Sequence, residues 1–230
     1  MPSMYDTIMD LPLFKGISTQ QVSDFLEKTK LEFINYERGD TIYNRTEACT
    51  HIRYLIKGSI RLIHSHISGC CAISEILRPG CVLGAERLFG LNTIYSDTAV
   101  AETDSSILRF SKEQFLNLLD SDRIYLINVL NFLSLRAQRP VDALAYLYSG
   151  TLMGHFAFWI STMTDRDAVA VELKASVDDL SRLTSIPGED VRYQLIRMRN
   201  KGLIAFAEDT IRIRNRRSLI EHALESNRKL

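Results

Sequence analysis

Three regimes of hydrophobic and polar spacing follow one another along the chain. Between residues 18 and 29, Val22, Phe25 and Leu26 share one face of a short predicted helix. From 31 to 110 the apolar runs shorten and become rich in β-branched and aromatic residues, at 31–35, 41–43, 52–56, 59–64, 72–77, 98–101 and 107–110. Gly, Pro and Asn turns separate them, and regular short strands of this kind predict a β-sandwich or barrel. From Ser111 onward the spacing turns helical. Leu126, Leu130, Leu133, Ala137, Pro140, Leu144 and Leu147 recur every four or three residues. Such a heptad seam outruns what a small β domain covers and predicts a partner helix, with Leu126, Leu130, Leu133 and Ala137 at a dimer interface. Pro140 costs one backbone hydrogen bond, so a kink or division is expected there, leaving the distal piece free to move.

A junction is expected at Leu147–Tyr148–Ser149–Gly150. Beyond it, Leu152, Phe156, Trp159, Ile160 and Met163 predict an amphipathic helix, and 169–173 a strand. The next stretch reads as helix, tight turn, helix. Ser176 is a natural N-cap with Asp179 three residues on. Leu180 and Leu183 mark the inner face of the first helix, and Ser185–Ile186–Pro187–Gly188 breaks it. Pro187 suits the opening of a new helix because its missing N–H has no helical partner there. Val191, Leu195 and Met198 then fall on one buried face, opposite Glu189, Arg192 and Tyr193. A short polar face at the start of a second helix is how a helix-turn-helix meets the major groove. Two short amphipathic helices also occur in proteins that never touch nucleic acid, so the residues C-terminal to the pair carry weight. Arg197, Arg199 and Lys201 close the helix at Gly202. A hairpin comes next at 203–214, with Arg212 and Arg214 alternating on its second strand, as in the wing of a winged helix-turn-helix.

Net charge is zero over 230 residues, which argues against a polycationic coat but not against a local basic face. From Arg192 to Arg217 eight basic residues face only Glu208 and Asp209, and a phosphate backbone responds to the patch rather than the total. No membrane-spanning run is present and residues 1–6 do not open a secretion signal, so a cytoplasmic protein is expected, with Cys49, Cys70, Cys71 and Cys81 as free thiols.

The order of parts resembles the Crp/Fnr family of bacterial transcription regulators. Leu13–Phe14–Lys15–Gly16–Ile17–Ser18 looks like the family's opening. Its three glycine turns are matched in order by Glu37–Arg38–Gly39–Asp40–Thr41–Ile42, by Leu55–Ile56–Lys57–Gly58–Ser59–Ile60–Arg61–Leu62 and by Leu77–Arg78–Pro79–Gly80–Cys81–Val82–Leu83–Gly84. The resemblance spans about residues 12 to 220 and implies an α+β protein. An N-terminal β-roll, jelly-roll-like, senses an effector (1–110), a long helix dimerises (111–147), and a C-terminal winged helix-turn-helix binds DNA (148–230). It further implies a homodimer on double-stranded DNA, contact with RNA polymerase, and DNA-facing residues Ser176, Pro187, Gly188, Glu189, Arg192, Tyr193, Arg197 and Arg199.

The chain departs from the family at its effector pocket, expected around Gly84, Ala85, Glu86, Arg87, Tyr95 and Ser96. The cyclic-nucleotide binders follow the glycine with Glu, for the ribose, and later carry Arg-Ser or Arg-Thr, for the phosphate. Here Ala85 replaces the Glu, Tyr95–Ser96 the Arg-Ser step, and Ala137–Gln138 the Thr-Ser pair that reaches the base. Losing a charge-assisted partner to a desolvated phosphate costs about 2–5 kcal/mol, so cyclic AMP is disfavoured and the effector is left unnamed. No cysteine precedes Cys49, which disfavours the family's N-terminal iron–sulfur cluster. His64, His66, Cys70 and Cys71 have types that suit haem or zinc, or reactive thiols, but straddle a hairpin at Ser68–Gly69, where exposed turn residues are the default and no metal is assigned. At the recognition helix, Glu189 is kept while Tyr193 takes the place of the second Arg. Two alternatives stay open: a haem- or redox-responsive regulator of the same fold, and a roll-based protein-interaction dimer without DNA binding. No phosphate loop, acid–base pair or nucleophile motif points to an enzyme, and no catalytic residue is expected.

Overall fold

A computed structural model describes residues 8, 9, 11–28, 31–147 and 149–227. The leader reading at 1–6, the Leu26 side chain, Thr29 and Tyr148 lie outside the described residues. In chain order the elements are α1 (Thr19–Lys28), β1 (Glu32–Tyr36), β2 (Thr41–Tyr43), β3 (His51–Lys57), β4 (Ile60–Ser65), β5 (Ala72–Leu77), β6 (Val82–Leu83), β7 (Thr98–Ala101), β8 (Ser105–Ser111), α2 (Lys112–Ser121), α3 (Arg123–Leu147), α4 (Leu152–Met163), β9 (Ala170–Lys174), α5 (Val177–Thr184), α6 (Gly188–Asn200), β10 (Ile204–Ala207), β11 (Thr210–Ile213) and α7 (Arg216–Asn227). The chain is thus α+β. The seven strands expected in the first half all form, and the two-residue β6 joins them. Among the described residues no helix is long and apolar enough to cross a membrane.

The chain divides into two units, the first comprising residues 1–61 and 77–136. Its main sheet runs β1-β8-β3-β6, all antiparallel, with Ile34 opposite Ile107 and Tyr54 opposite Leu108. β2 pairs with β7. Gly58 turns β3 away with φ 88°, and a Cβ there would lie 2.3 Å from the Asp104 carbonyl oxygen, so only glycine fits. Aromatic side chains fill the space between the roll and its flanking helices. Phe14 meets Tyr125 edge-on at 5.6 Å, and Phe25 lies 5.6 Å from Phe110.

The stretch expected as one dimerisation helix, 111–147, is two. Ser111 and Gln114 form a reciprocal capping box that starts α2. Asp122 then leaves helical geometry at φ −154° and its carboxylate accepts from the Ile124 amide at 2.8 Å, starting α3. Pro140, by contrast, does not divide its helix: α3 runs unbroken through it, forgoing one hydrogen bond. The boundary between the units falls just before it, at 136/137.

The second unit comprises residues 62–76 and 137–230. The roll hairpin at 62–76 therefore groups with the C-terminal residues, a division that differs from one at 110 and 147. Backbone pairing is the reason. β5 joins β9 through five rungs, Ala72↔Lys174 to Ile76↔Ala170, and the Val169 amide donates to the Ile76 carbonyl at 2.9 Å. The buried Glu75 carboxylate accepts from the Asp165 amide at 2.7 Å. The strand order here is β10-β11-β9-β5-β4. Ile73, Leu152, Phe156, Ile160, Leu180, Val191, Leu195 and Met198 share one core, each large side chain adding about 1.5–3 kcal/mol. α7, absent from the expected elements, covers this core with Leu219 and Ala223, and the Asn215 side chain caps it by accepting from the Ser218 amide at 2.9 Å.

Candidate nucleic-acid interface and roll cradle

The helix-turn-helix is built by local rules. The Ser176 hydroxyl accepts from the Asp179 amide at 3.0 Å and donates to its carboxylate at 2.6 Å. That second bond and Arg182, 2.5 Å away, hold the Asp179 carboxyl below its usual pKa. Ser185 ends α5 in the left-handed region at φ 59°. The Ser181 hydroxyl then donates to the Ile186 carbonyl at 2.6 Å, closing the turn. Pro187 is the N-cap of α6 and Gly188 its first residue. Sequence placed proline one position later, but both satisfy a helix start without an amide partner.

Val191, Leu195 and Met198 bury one face of α6. The other carries Glu189, Asp190, Arg192, Tyr193, Arg197 and Arg199 to the surface. Tyr193 is 60% exposed, with the Arg197 guanidinium 5.8 Å from its ring centre. Arg199 lies over Phe206 of the wing at 5.1 Å. Among the described residues, Glu189, Asp190 and Arg192 have no side-chain ion pair or hydrogen bond within the chain. The wing turns at Glu208 (φ 52°). Its two arginines differ: Arg212 is tied to Glu172 of β9 at 2.7 Å, whereas Arg214 stands exposed. Ser176 is half-buried and spends its side chain on capping. This surface can accept from a base amino group through Glu189, donate to guanine through Arg192, and neutralise phosphates through Arg197, Arg199 and Arg214.

The roll cradle is formed differently. Gly84 adopts φ 67° and begins the short turn Ala85–Arg87. A Cβ on Gly84 would lie 2.5 Å from Cε1 of Tyr95, so the phenol ring rests directly on the glycine backbone. Tyr95 is 2% exposed and stacks on Tyr43 with ring centres 3.9 Å apart. Its hydroxyl accepts from the Arg53 guanidinium, which is 8% exposed and also donates to the His51 carbonyl at 3.1 Å. The Tyr43 hydroxyl donates to buried Asp97 at 2.9 Å, and Cys49 Sγ lies 3.4 Å from the Gly84 carbonyl oxygen. Burial raises the pKa of Tyr43, Cys49 and Tyr95, keeping all three neutral. Of the other expected pocket residues, Glu86 is exposed and pairs with Arg136 at 3.2 Å, Arg87 is half-buried and Ser96 exposed. They do not converge with Tyr95 on one polar pocket. Arg53, Tyr43, Cys49 and Asp97 were not anticipated; the lone arginine within the apolar run of β3 was the available signal.

A cyclic nucleotide, the ligand that a roll of this type implies, does not fit these residues. The ring of Tyr95 fills the space over Gly84, no carboxylate stands at Ala85, and the buried Arg53 guanidinium is spent on Tyr95 and a backbone carbonyl.

The histidine and cysteine group splits in two. His64 faces Glu75 at 3.6 Å, while His66 Nδ1 bonds the Ser68 hydroxyl at 2.8 Å and lies 3.7 Å from Cys70 Sγ. Cys71 packs against the second unit's core, where burial pushes its thiol pKa up to about 11. None of the four cysteines is in a disulfide. Among the described residues no three His, Cys, Asp or Glu side chains form a metal-holding group. Leu126, Leu130 and Ala137 are exposed along α3, with Leu133 half-buried. Leu144 continues their stripe, but Leu147, at the end of the expected seam, is buried in the second unit's core.

Residues 33–122 match the cyclic nucleotide-binding domain family. No curated protein matches the chain. Among solved structures, the catabolite activator protein of Thermus thermophilus aligns over 94% of this chain and 99% of its own, with TM-score 0.53 and 20% identity. The sensor domain of the transcriptional regulator DNR of Pseudomonas aeruginosa covers 59% of this chain and 89% of its own, with TM-score 0.50 and 22% identity. Identity at this level speaks for shared fold.

Proposed function

We propose that this chain, Crp/Fnr-like in its fold, is a homodimeric, sequence-specific DNA-binding transcription regulator whose signal is not cyclic AMP. The observation that carries the proposal is the face of α6. Its first two turns hold exposed Glu189, Arg192 and Tyr193 over a fully buried opposite face, with Arg197 and Arg199 behind them and a wing beside them. Exposed charges without internal partners, at the start of a second helix, are arranged for base edges and phosphates. Glu189 accepts from cytosine, Arg192 donates to guanine, and the distal arginines hold the backbone.

The exposed stripe of Leu126, Leu130, Ala137 and Leu144 supports a second copy packing along α3. Two α6 helices so related meet half-sites about one helical turn apart. The self-filled cradle supports DNA binding without a nucleotide in the roll. Selection of bound duplexes from a random pool, with the protein as purified, tests all of this. A two-fold symmetric site is expected, and added cyclic AMP leaves its affinity unchanged. Absence of any enriched sequence, both alone and with cell extract, overturns the proposal.

A further inference from the structure

The second unit holds a cleft unconnected with α6. It measures about 500 Å³ and is lined by Arg139, Asp142 and Tyr146 of α3, Ser161 of α4, Arg166 of the following loop and Arg216 at the start of α7. Three arginines from three elements thus meet one lining carboxylate. Arg216 Nη2 donates to the Ile160 carbonyl at 3.3 Å, while its buried Nε has no partner among the described residues. Burial first, then the charge of Arg139 and more weakly that of Arg166, lower the Arg216 pKa. Glu75 and Asp165 act on it in the opposite sense; Glu75 also accepts from the Asp165 amide and faces His64, and Asp165 accepts from the Asp167 amide at 3.0 Å.

We propose that this cleft is a binding site for a small organic phosphate, held at its charged end by Arg139, Arg166 and Arg216. The guanidinium fork matches phosphate oxygens two at a time, which an isolated surface charge does not. Tyr146, 66% exposed, offers a ring to the rest of the ligand, beside Ile220 and Leu224. The volume is that of a small-molecule site. Arg139, Asp142 and Tyr146 lie on the flank of α3 roughly opposite Ala137 and Leu144, so a dimer packed on that stripe leaves the cleft open. A bound anion ties the end of α3 to the α4–β9 loop and to α7, which makes it a candidate effector of DNA affinity. That last role rests on the proposed function, whereas binding itself does not.

Calorimetric titration of the full chain with inorganic pyrophosphate, at ionic strength held constant with chloride, tests the site. One saturable site per chain is expected. Arg166→Gln, at an exposed position where folding is not at stake, weakens it about tenfold or more. Arg216→Gln does the same. Arg217→Gln leaves it unchanged, because that neighbouring arginine points elsewhere, to Glu221 at 2.8 Å. No saturation, or equal losses in all three variants, overturns the proposal. So does one-for-one displacement of pyrophosphate by a short random duplex, which makes the cleft part of the DNA surface. Saturable binding without any selected DNA site upholds the cleft and rejects only its regulatory role.

Discussion

Tyr95 and Tyr193 both stand where the Crp/Fnr resemblance places an arginine, and the structure treats them in opposite ways. Tyr95 is 2% exposed, stacked on Tyr43, bonded to Arg53 and pressed against Gly84. Tyr193 is 60% exposed and touched by Arg197. The first substitution turns a ligand-facing position into core. The second keeps an outward-facing position and changes what it offers. A polar group whose hydrogen-bond partners all lie within the chain serves the fold, and one such as the exposed Tyr193 hydroxyl, with no hydrogen-bond partner among the described residues, is available to something outside it.

The largest effect that sharpens this contrast is in stability. Tyr95→Ala leaves a cavity and strands the Arg53 guanidinium, so it is expected to destabilise by about 3–5 kcal/mol. Tyr193→Ala shifts stability by no more than about 0.5 kcal/mol while weakening DNA binding. Equal melting temperatures for the two variants would break the comparison. Next comes α3, where Leu130 is 52% exposed in a single chain. Leu130→Lys removes about 1.5–3 kcal/mol of burial from a dimer and brings two like charges together, so sedimentation should show monomers at concentrations where the wild type is dimeric. A variant that sediments as the wild type does would remove the stripe from the interface.

A smaller effect separates roles within α6. Glu189→Ala is expected to cost about 1–3 kcal/mol of discrimination at one base pair of each half-site. Arg199→Ala weakens specific and random duplexes alike and flattens the salt dependence. Competition binding on matched and scrambled sites distinguishes the two, and identical profiles would contradict the division. The smallest effect is on pH. Burial lowers the pKa of His155 below its ordinary 6.5, so the unfolded chain takes up its proton first as pH falls. Stability from this group is complete above about pH 6.5 and declines below it. Thermal melts between pH 7.5 and 5.5 should slope downward with acid, less steeply in His155→Gln.

Much of the fold was legible because its signals are local. The strand runs, the Ser176 cap and the Val191–Leu195–Met198 face each state their structure within a few residues. The division of 111–147 is hard to see in apolar spacing, although Ser111 and Gln114 spell a capping box, because helical residues flank Asp122 closely on both sides and the seam resumes at Leu126. α7 was passed over because Arg216 and Arg217 read as more wing charge, while Leu219 and Ala223 carried the helical spacing. The pairing of β5 with β9 lay beyond reach, since two strands a hundred residues apart announce no register. In the cradle, Ala85 and Tyr95 told that the family's ligand contacts were gone, but not that Tyr95 and Arg53 would fill the space, which is a matter of packing.

Under the proposed function, two copies of this chain read a symmetric site through α6 with no nucleotide in the roll. Fluorescence anisotropy of the selected duplex, titrated with ligand-free protein, tests it most directly when repeated with one half-site scrambled. Two chains per intact duplex, a large loss of affinity on scrambling one half, and no change with cyclic AMP are expected. One chain per duplex, or equal affinity for intact and half-scrambled DNA, would contradict this reading.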